Sequence, residues 1–135
     1  MIIDALLQFS DKQALTAKAA STNVIDLGQA KPTPGMSKVL DVVVVVNEAV
    51  TGALQPVIQH CDTSSGSFTT VAAAESVTAP AAGTKFVIKV PYATKRYLRV
   101  YYDGSPTAGK VSAAMLWGSD LNEPFEQAKS LSNLW

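Results

Sequence analysis

Chemistry-bearing side chains are scarce in this 135-residue chain: it has one cysteine, Cys61, and one histidine, His60. A solitary cysteine excludes an intramolecular disulfide framework, and in a strand-like run it reads as a small buried hydrophobe. A tetrahedral zinc site needs three or four Cys, His or carboxylate ligands, and nitrogen and sulfur supply two here. A nucleophile–base pair needs a histidine within reach of a Ser or Cys. His60 and Cys61 are sequence neighbours, so on a strand they point to opposite faces and form no dyad. Within the strand-like runs Asp41 is the main carboxylate, which leaves a glycosidase-type acid and base without a home. The glycines are scattered, and none builds a phosphate-cradling loop. Asp120, Glu123 and Glu126 read as a solvated, partner-facing cluster rather than a calcium loop. The expectation is a protein that is not an enzyme and holds neither metal nor cofactor.

Excess charge is missing too. Eleven Lys and Arg balance eleven Asp and Glu, which is unlike the basic footprint that phosphate backbones attract. Nucleic acid is therefore not an expected partner. The longest aliphatic run, 42–46, is far too short to cross a bilayer. The opening Met1-Ile2-Ile3-Asp4 has no basic residue ahead of its apolar ones and no cleavage-site pattern after them. A soluble, unexported protein without a membrane partner is expected.

What the chain has is strand-forming sequence. Apolar residues make up 47% of it, a globular proportion, and the length suits one domain. Between residues 38 and 118, β-branched and aromatic runs alternate with Gly, Pro and Ser. The run 39–47 is β-branched on both alternating faces, as in a strand covered on both sides. Asp41, the exception, points to an edge or a turn. Residues 53–61 form a second strand, in which Pro56 argues for an edge or a bulge. After the turn 62–66 comes a strand over 67–74. In 84–90, Phe86, Ile88 and Val90 face one way and Lys85 and Lys89 the other, a half-buried strand. Strands over 96–102 and 110–117 follow, joined by the loop 103–109 and read as a hairpin. Leu98, Val100 and Tyr102 share one face of the first, and Val111, Ala113, Met115 and Trp117 align in the second.

The remainder is less regular. Ser10 followed by Gln13 gives a capping-box pattern that allows a short helix over 11–19. Residues 22–27 allow a strand, and 29–35 is too rich in Pro and Gly for regular structure. Short strands at 8–12-residue spacing without intervening helices predict an all-β antiparallel sandwich of jelly-roll type. The expected organisation is an N-terminal arm and first strand over 1–37, a sandwich core over 38–118 and a C-terminal arm over 119–135.

With little chemistry, surface carries the functional reading. Tyr97, Arg99 and Tyr101 on one strand face, with Lys85 and Lys89 nearby, have the aromatic and basic composition of protein interfaces. The alternative is that these tyrosines simply cover the sandwich. The C-terminal arm strings Phe125, Leu131, Leu134 and Trp135 along a polar thread. A tryptophan left in water forgoes about 2–3 kcal/mol of burial, so the arm is expected to dock on its own domain or on a neighbour.

Two segments carry a family resemblance. Met1-Ile2-Ile3-Asp4-Ala5-Leu6-Leu7-Gln8-Phe9-Ser10-Asp11-Lys12-Gln13-Ala14-Leu15, running on to Ser21-Thr22-Asn23-Val24-Ile25-Asp26-Leu27-Gly28, resembles the start of the capsid cement (decoration) proteins of tailed bacteriophages. Lys95-Arg96-Tyr97-Leu98-Arg99-Val100-Tyr101-Tyr102, with Thr107-Ala108-Gly109-Lys110-Val111-Ser112-Ala113 after it, is similar to that family's penultimate and last strands. The resemblance implies a jelly roll that self-associates as a dimer or trimer. It also implies a protein made in the host cytoplasm that sits on the outside of an assembled head and bridges subunits of the major capsid protein. It supplies no active-site residues, and the segment after Trp117 matches least. The residues expected at an interface are Phe9, Tyr97, Arg99, Tyr101, Phe125, Leu134 and Trp135. The alternative, resting on Trp117 and the Tyr97 and Tyr101 face, is a glycan-binding β-sandwich of a phage fibre or surface protein, since aromatic platforms stack on sugars.

Overall fold

The structure is a computed structural model that describes residues 7–28, 40–91 and 93–117, with the backbone alone at Leu40 and Trp117. Its strands are β1 (Gln8–Ala14), β2 (Ala19–Ala20), β3 (Ile25–Asp26), β4 (Leu40–Thr51), β5 (Ala53–Cys61), β6 (Thr69–Ala73), β7 (Val77–Thr78), β8 (Lys85–Lys89), β9 (Tyr97–Gly104) and β10 (Ala108–Trp117). They make two antiparallel sheets, one ordered β1-β10-β4-β8 and the other β2-β9-β5-β6, with β3 on β9 and β7 on β5. The paired strands nest in sequence: β1 with β10, β2 with β9, β4 with β8, β5 with β6, alternating between the sheets. That is the winding of a jelly roll, a long antiparallel ribbon rolled into two layers. Residues 8–28 supply strands to both layers, so the sandwich extends well ahead of residue 38.

Period-two alternation builds the core. Val42, Val44 and Val46 of β4, Phe86 and Ile88 of β8, and Val111, Ala113 and Met115 of β10 face inward from the first sheet. Leu54 and Ile58 of β5 and Leu98, Val100 and Tyr102 of β9 meet them from the second. β4 lies between β10 and β8 as a central strand, and its outward Val43 is buried like the inward Val42 and Val44, so β-branched residues suit both of its faces. The side chain of Trp117 lies outside the described residues.

Three expectations are corrected. Residues 11–19 form no helix: β1 runs over Gln8–Ala14 with bulges against β10. Ser10 and Gln13 do pair, Ser10 Oγ donating to Gln13 Oε1 at 2.7 Å, but across a bulge where Lys12 adopts φ 49°. The helical signature thus reflects a side-chain contact that a kinked strand makes equally well. Secondly, β9 and β10 are not a hairpin. They belong to opposite sheets, and the connection between them crosses the sandwich beside the corner joining β4 to β5. Ser105 N donates to Ala53 O and Thr107 N to Thr51 O, both at 2.9 Å. The backbones meet so closely that a Cβ on Gly104, at φ +101°, would stand 2.5 Å from Ala53 O.

Thirdly, Pro56 marks no sheet edge, because β5 runs between β9 and β6. Ala74 N donates to Pro56 O at 3.0 Å, the half of an antiparallel hydrogen-bonded pair that a proline permits. The reciprocal bond would run from the nitrogen of residue 56 to Ala74 O. Gln55 Nε2 donates to that oxygen instead, at 3.1 Å, so a side-chain amide replaces the missing backbone donor. The β5–β6 bulge expected nearby falls between Ile58 and Gln59.

Candidate functional site

Alternation along β9 turns Leu98, Val100 and Tyr102 into the core and Tyr97, Arg99 and Tyr101 outward, all three of the latter half-buried. Antiparallel pairing sets Gln59 of β5 opposite Arg99, Val57 opposite Tyr101 and Cys61 opposite Tyr97, while Asp26 of β3 pairs with Tyr97 from the other side. The predicted aromatic and basic patch is thus one continuous outer face of the second sheet. Lys85 and Lys89 do not belong to it, since β8 is in the other sheet.

Arg99 is held from several directions. Its Nε donates to Gln59 Oε1 at 2.8 Å, and its guanidinium carbon lies 4.1 Å from the Phe68 ring centre and 5.8 Å from that of Tyr101. Contacts of this kind contribute about 0.5–1 kcal/mol each at exposed sites. Their larger effect is to fix a long side chain whose ordering otherwise costs free energy on binding. A second unit lies alongside: Arg96 donates to both Asp26 oxygens, Nε to Oδ1 at 2.7 Å and a terminal nitrogen to Oδ2 at 3.0 Å. Its guanidinium carbon is 5.2 Å from the Tyr97 ring centre. The Arg96 hydrogen bonds hold the Asp26 carboxyl below its ordinary range, helped by the Gly28 N–H. The face therefore presents two oriented guanidinium–aromatic stacks.

The sequence had shown Tyr97, Arg99 and Tyr101. It had not shown Phe68, Gln59, Arg96 or Asp26, whose places depend on which strands pair. Phe9 is corrected: it is fully buried in the core, because β1 turns this bulky ring into the sandwich, and it offers no contact surface. Phe125, Leu134 and Trp135 lie outside the described residues.

His60 and Cys61 have separate surroundings. His60 Nδ1 accepts a hydrogen bond from Lys95 N at 3.1 Å. Burial and the Lys95 charge push its imidazole below the ordinary value, Asp62 pulling the other way. Cys61 is buried, its Sγ 3.9 Å from Thr63 Oγ1, and the Thr63 N–H draws the thiol below its ordinary range. Among the described residues no cluster of three His, Cys, Asp or Glu side chains is placed to hold a metal ion. No helix among them is long and apolar enough to cross a membrane.

Fold and face together define a jelly-roll β-sandwich that displays an ordered aromatic and basic surface. The model of the Bbp16 family, a phage-related family, matches residues 9–115, and the chain belongs to that family. A comparison with curated proteins gave no match.

Proposed function

We propose that this chain is a capsid cement protein, a structural component of the virion that binds the outer surface of an assembled phage head and bridges subunits of the major capsid protein. Membership of a phage-related family across residues 9–115 carries this reading. The resemblance of residues 1–28 and 95–113 to capsid cement proteins gives it its specific form, and the face of Arg99 and Tyr101 gives it a surface. Arginine and tyrosine are enriched where interfaces draw most of their energy, and side chains already held in place lose little entropy on docking. A cement protein binds the assembled lattice, so a modest contact repeated over many copies shifts the whole shell by mass action. Self-association as a dimer or trimer lets one unit span a boundary between capsid subunits.

The glycan-binding alternative has less support from the geometry. A sugar needs an open aromatic face, and the rings of Phe68, Tyr97 and Tyr101 each carry a guanidinium over one side.

Mixing the purified chain with undecorated heads of the parent phage, then sedimenting them, tests the proposal. Saturable co-sedimentation with heads, no binding to unassembled capsid protein and a higher disruption temperature are the expected results. Heads that sediment bare and gain no heat resistance would refute it.

A further inference from the structure

Arg99 stands between Tyr97 and Tyr101 on the outward face of the second sheet, and its charge is not answered within that sheet. The cations around it are paired. Arg96 donates to both oxygens of Asp26, Lys95 lies 3.6 Å from Asp62 and Lys18 lies 3.6 Å from Asp103. Among the described residues no carboxylate pairs with Arg99. The strand β5 sets a neutral amide opposite it instead, and Gln59 Oε1 accepts from Arg99 Nε at 2.8 Å. That amide is held at its other end, where Gln59 Nε2 donates to Thr70 Oγ1 of β6 at 3.4 Å. The Phe68 ring, its centre 4.1 Å from the guanidinium carbon, covers one side of the group. With Nε engaged and one side stacked, the two terminal nitrogens are the donors left for a partner.

We infer that Arg99 receives a carboxylate, the side chain of an aspartate or glutamate on the capsid surface where this face docks, held end-on by the two terminal nitrogens. The inference rests on the cement reading and names the chemical group that the reading leaves open. Docking strips water from a half-buried guanidinium, and a charge taken out of water without a counter-charge is costly. The face supplies no carboxylate to Arg99, so the docked surface must. A neutral acceptor such as a backbone carbonyl would satisfy an N–H group and leave the charge unanswered. Geometry agrees, because the terminal N–H groups of a guanidinium lie parallel in one plane and match the two oxygens of a carboxylate. The Phe68 stack and the Gln59 bond fix that plane before contact. Gln59 also keeps the position receptive: a glutamate there would pair with Arg99 inside the chain, as Asp26 pairs with Arg96.

Gln59→Glu in the full-length chain tests it, by sedimentation with two preparations of undecorated heads. One is untreated, and in the other the surface carboxylates are converted to neutral amides with carbodiimide and ethanolamine. On untreated heads Gln59→Glu should attach at least about tenfold more weakly than the parent chain, within the range of charge pairs at interfaces, with a thermal transition no lower than the parent's. Amidation should weaken the parent chain by a similar factor and weaken Gln59→Glu no further. Arg99→Met, which keeps the stem and drops the charge, should also attach weakly to untreated heads and lose nothing more on amidated ones; this arm decides the matter if Gln59→Glu fails to fold. A parent chain that attaches equally to both preparations overturns the inference and leaves the cement reading in place. So does folded Gln59→Glu that attaches like the parent chain. A loss on amidation as large for Arg99→Met as for the parent chain overturns it too, since the carboxylates then meet other groups. A parent chain that ignores untreated heads removes the cement reading and this inference with it.

Discussion

Tyr102 Oη donates a hydrogen bond of 2.8 Å to Ser10 Oγ, joining β9 of one sheet to β1 of the other inside the sandwich. The bond continues into a chain of polar contacts. Ser10 Oγ donates to Gln13 Oε1 at 2.7 Å, Gln13 Oε1 also accepts from Thr22 N at 2.9 Å, and Gln13 Nε2 donates to Ala20 O at 2.9 Å. One buried phenol thereby anchors the loop between β1 and β3.

Tyr102→Phe removes the first link and leaves the ring packed. A buried hydrogen bond contributes about 1 kcal/mol net. Urea unfolding should show a lower midpoint at an unchanged m-value, because the buried surface is the same. An unchanged midpoint would mean that the bond contributes nothing to stability.

The same residue predicts an alkaline limit. Burial raises the Tyr102 phenol well above its ordinary value, and the bond to Ser10 offsets this only in part. In the unfolded chain the group ionises near pH 10. Its contribution to stability is therefore complete below about pH 10 and declines as the pH rises beyond that, where the unfolded state sheds a proton that the native state retains. Tyrosinate absorbance at pH 11 should be lower for the native chain than for the urea-unfolded chain, and Tyr102→Phe should abolish that part of the difference.

Gln55 and Pro56 should behave as a coupled pair. Gln55→Ala strips Ala74 O of its donor and should cost about 1 kcal/mol. In a Pro56→Ala background, where a backbone N–H returns, the same change should cost less. A double-mutant cycle by chemical denaturation measures the coupling, and strictly additive effects would show that Gln55 does not stand in for the backbone.

Two glycines with positive φ should respond differently to alanine. Gly28, at φ +82°, has open space where a Cβ would go, whereas a Cβ on Gly104 collides with the Ala53 backbone. Gly28→Ala should cost about 1–2 kcal/mol from backbone conformation alone. Gly104→Ala should cost clearly more, since the β4–β5 corner must move as well. Thermal unfolding ranks the two.

Arg99→Ala and Tyr101→Ala should each weaken attachment to phage heads while leaving the thermal transition within a few degrees of the parent chain. Arg99→Lys should fail to restore attachment, because an ammonium reproduces neither the planar stacking nor the fixed fork of a guanidinium. Sedimentation with heads and calorimetry on the same preparations separate loss of contact from loss of fold.

Much of the sandwich was legible in the residues. The run 53–61 coincides with β5, and the alternation of Phe86, Ile88 and Val90 against Lys85 and Lys89 gave β8 its buried and wet faces. Period two is a local property and survives in sequence. Sheet membership is not local: the 103–109 loop looks like a hairpin connection, yet Leu98 pairs with His60 and Val111 with Val46. The interaction face was half legible for the same reason. Tyr97, Arg99 and Tyr101 alternate along one strand, whereas Gln59, Phe68 and Asp26 reach them only through long-range pairing. Phe9 was misjudged because the bulges of β1 decide which of its residues turn inward.

The partner of β1 in its sheet is β10. A ribosome makes the first of these strands long before the last, so the sheet cannot be completed until β10 has emerged. Closure waits for Gln8 to meet Ala114, and such distant pairing is intrinsically slow. Until then β1 has no partner along the edge that β10 will occupy, and that is the interval in which crowded copies are most exposed to mispairing with one another.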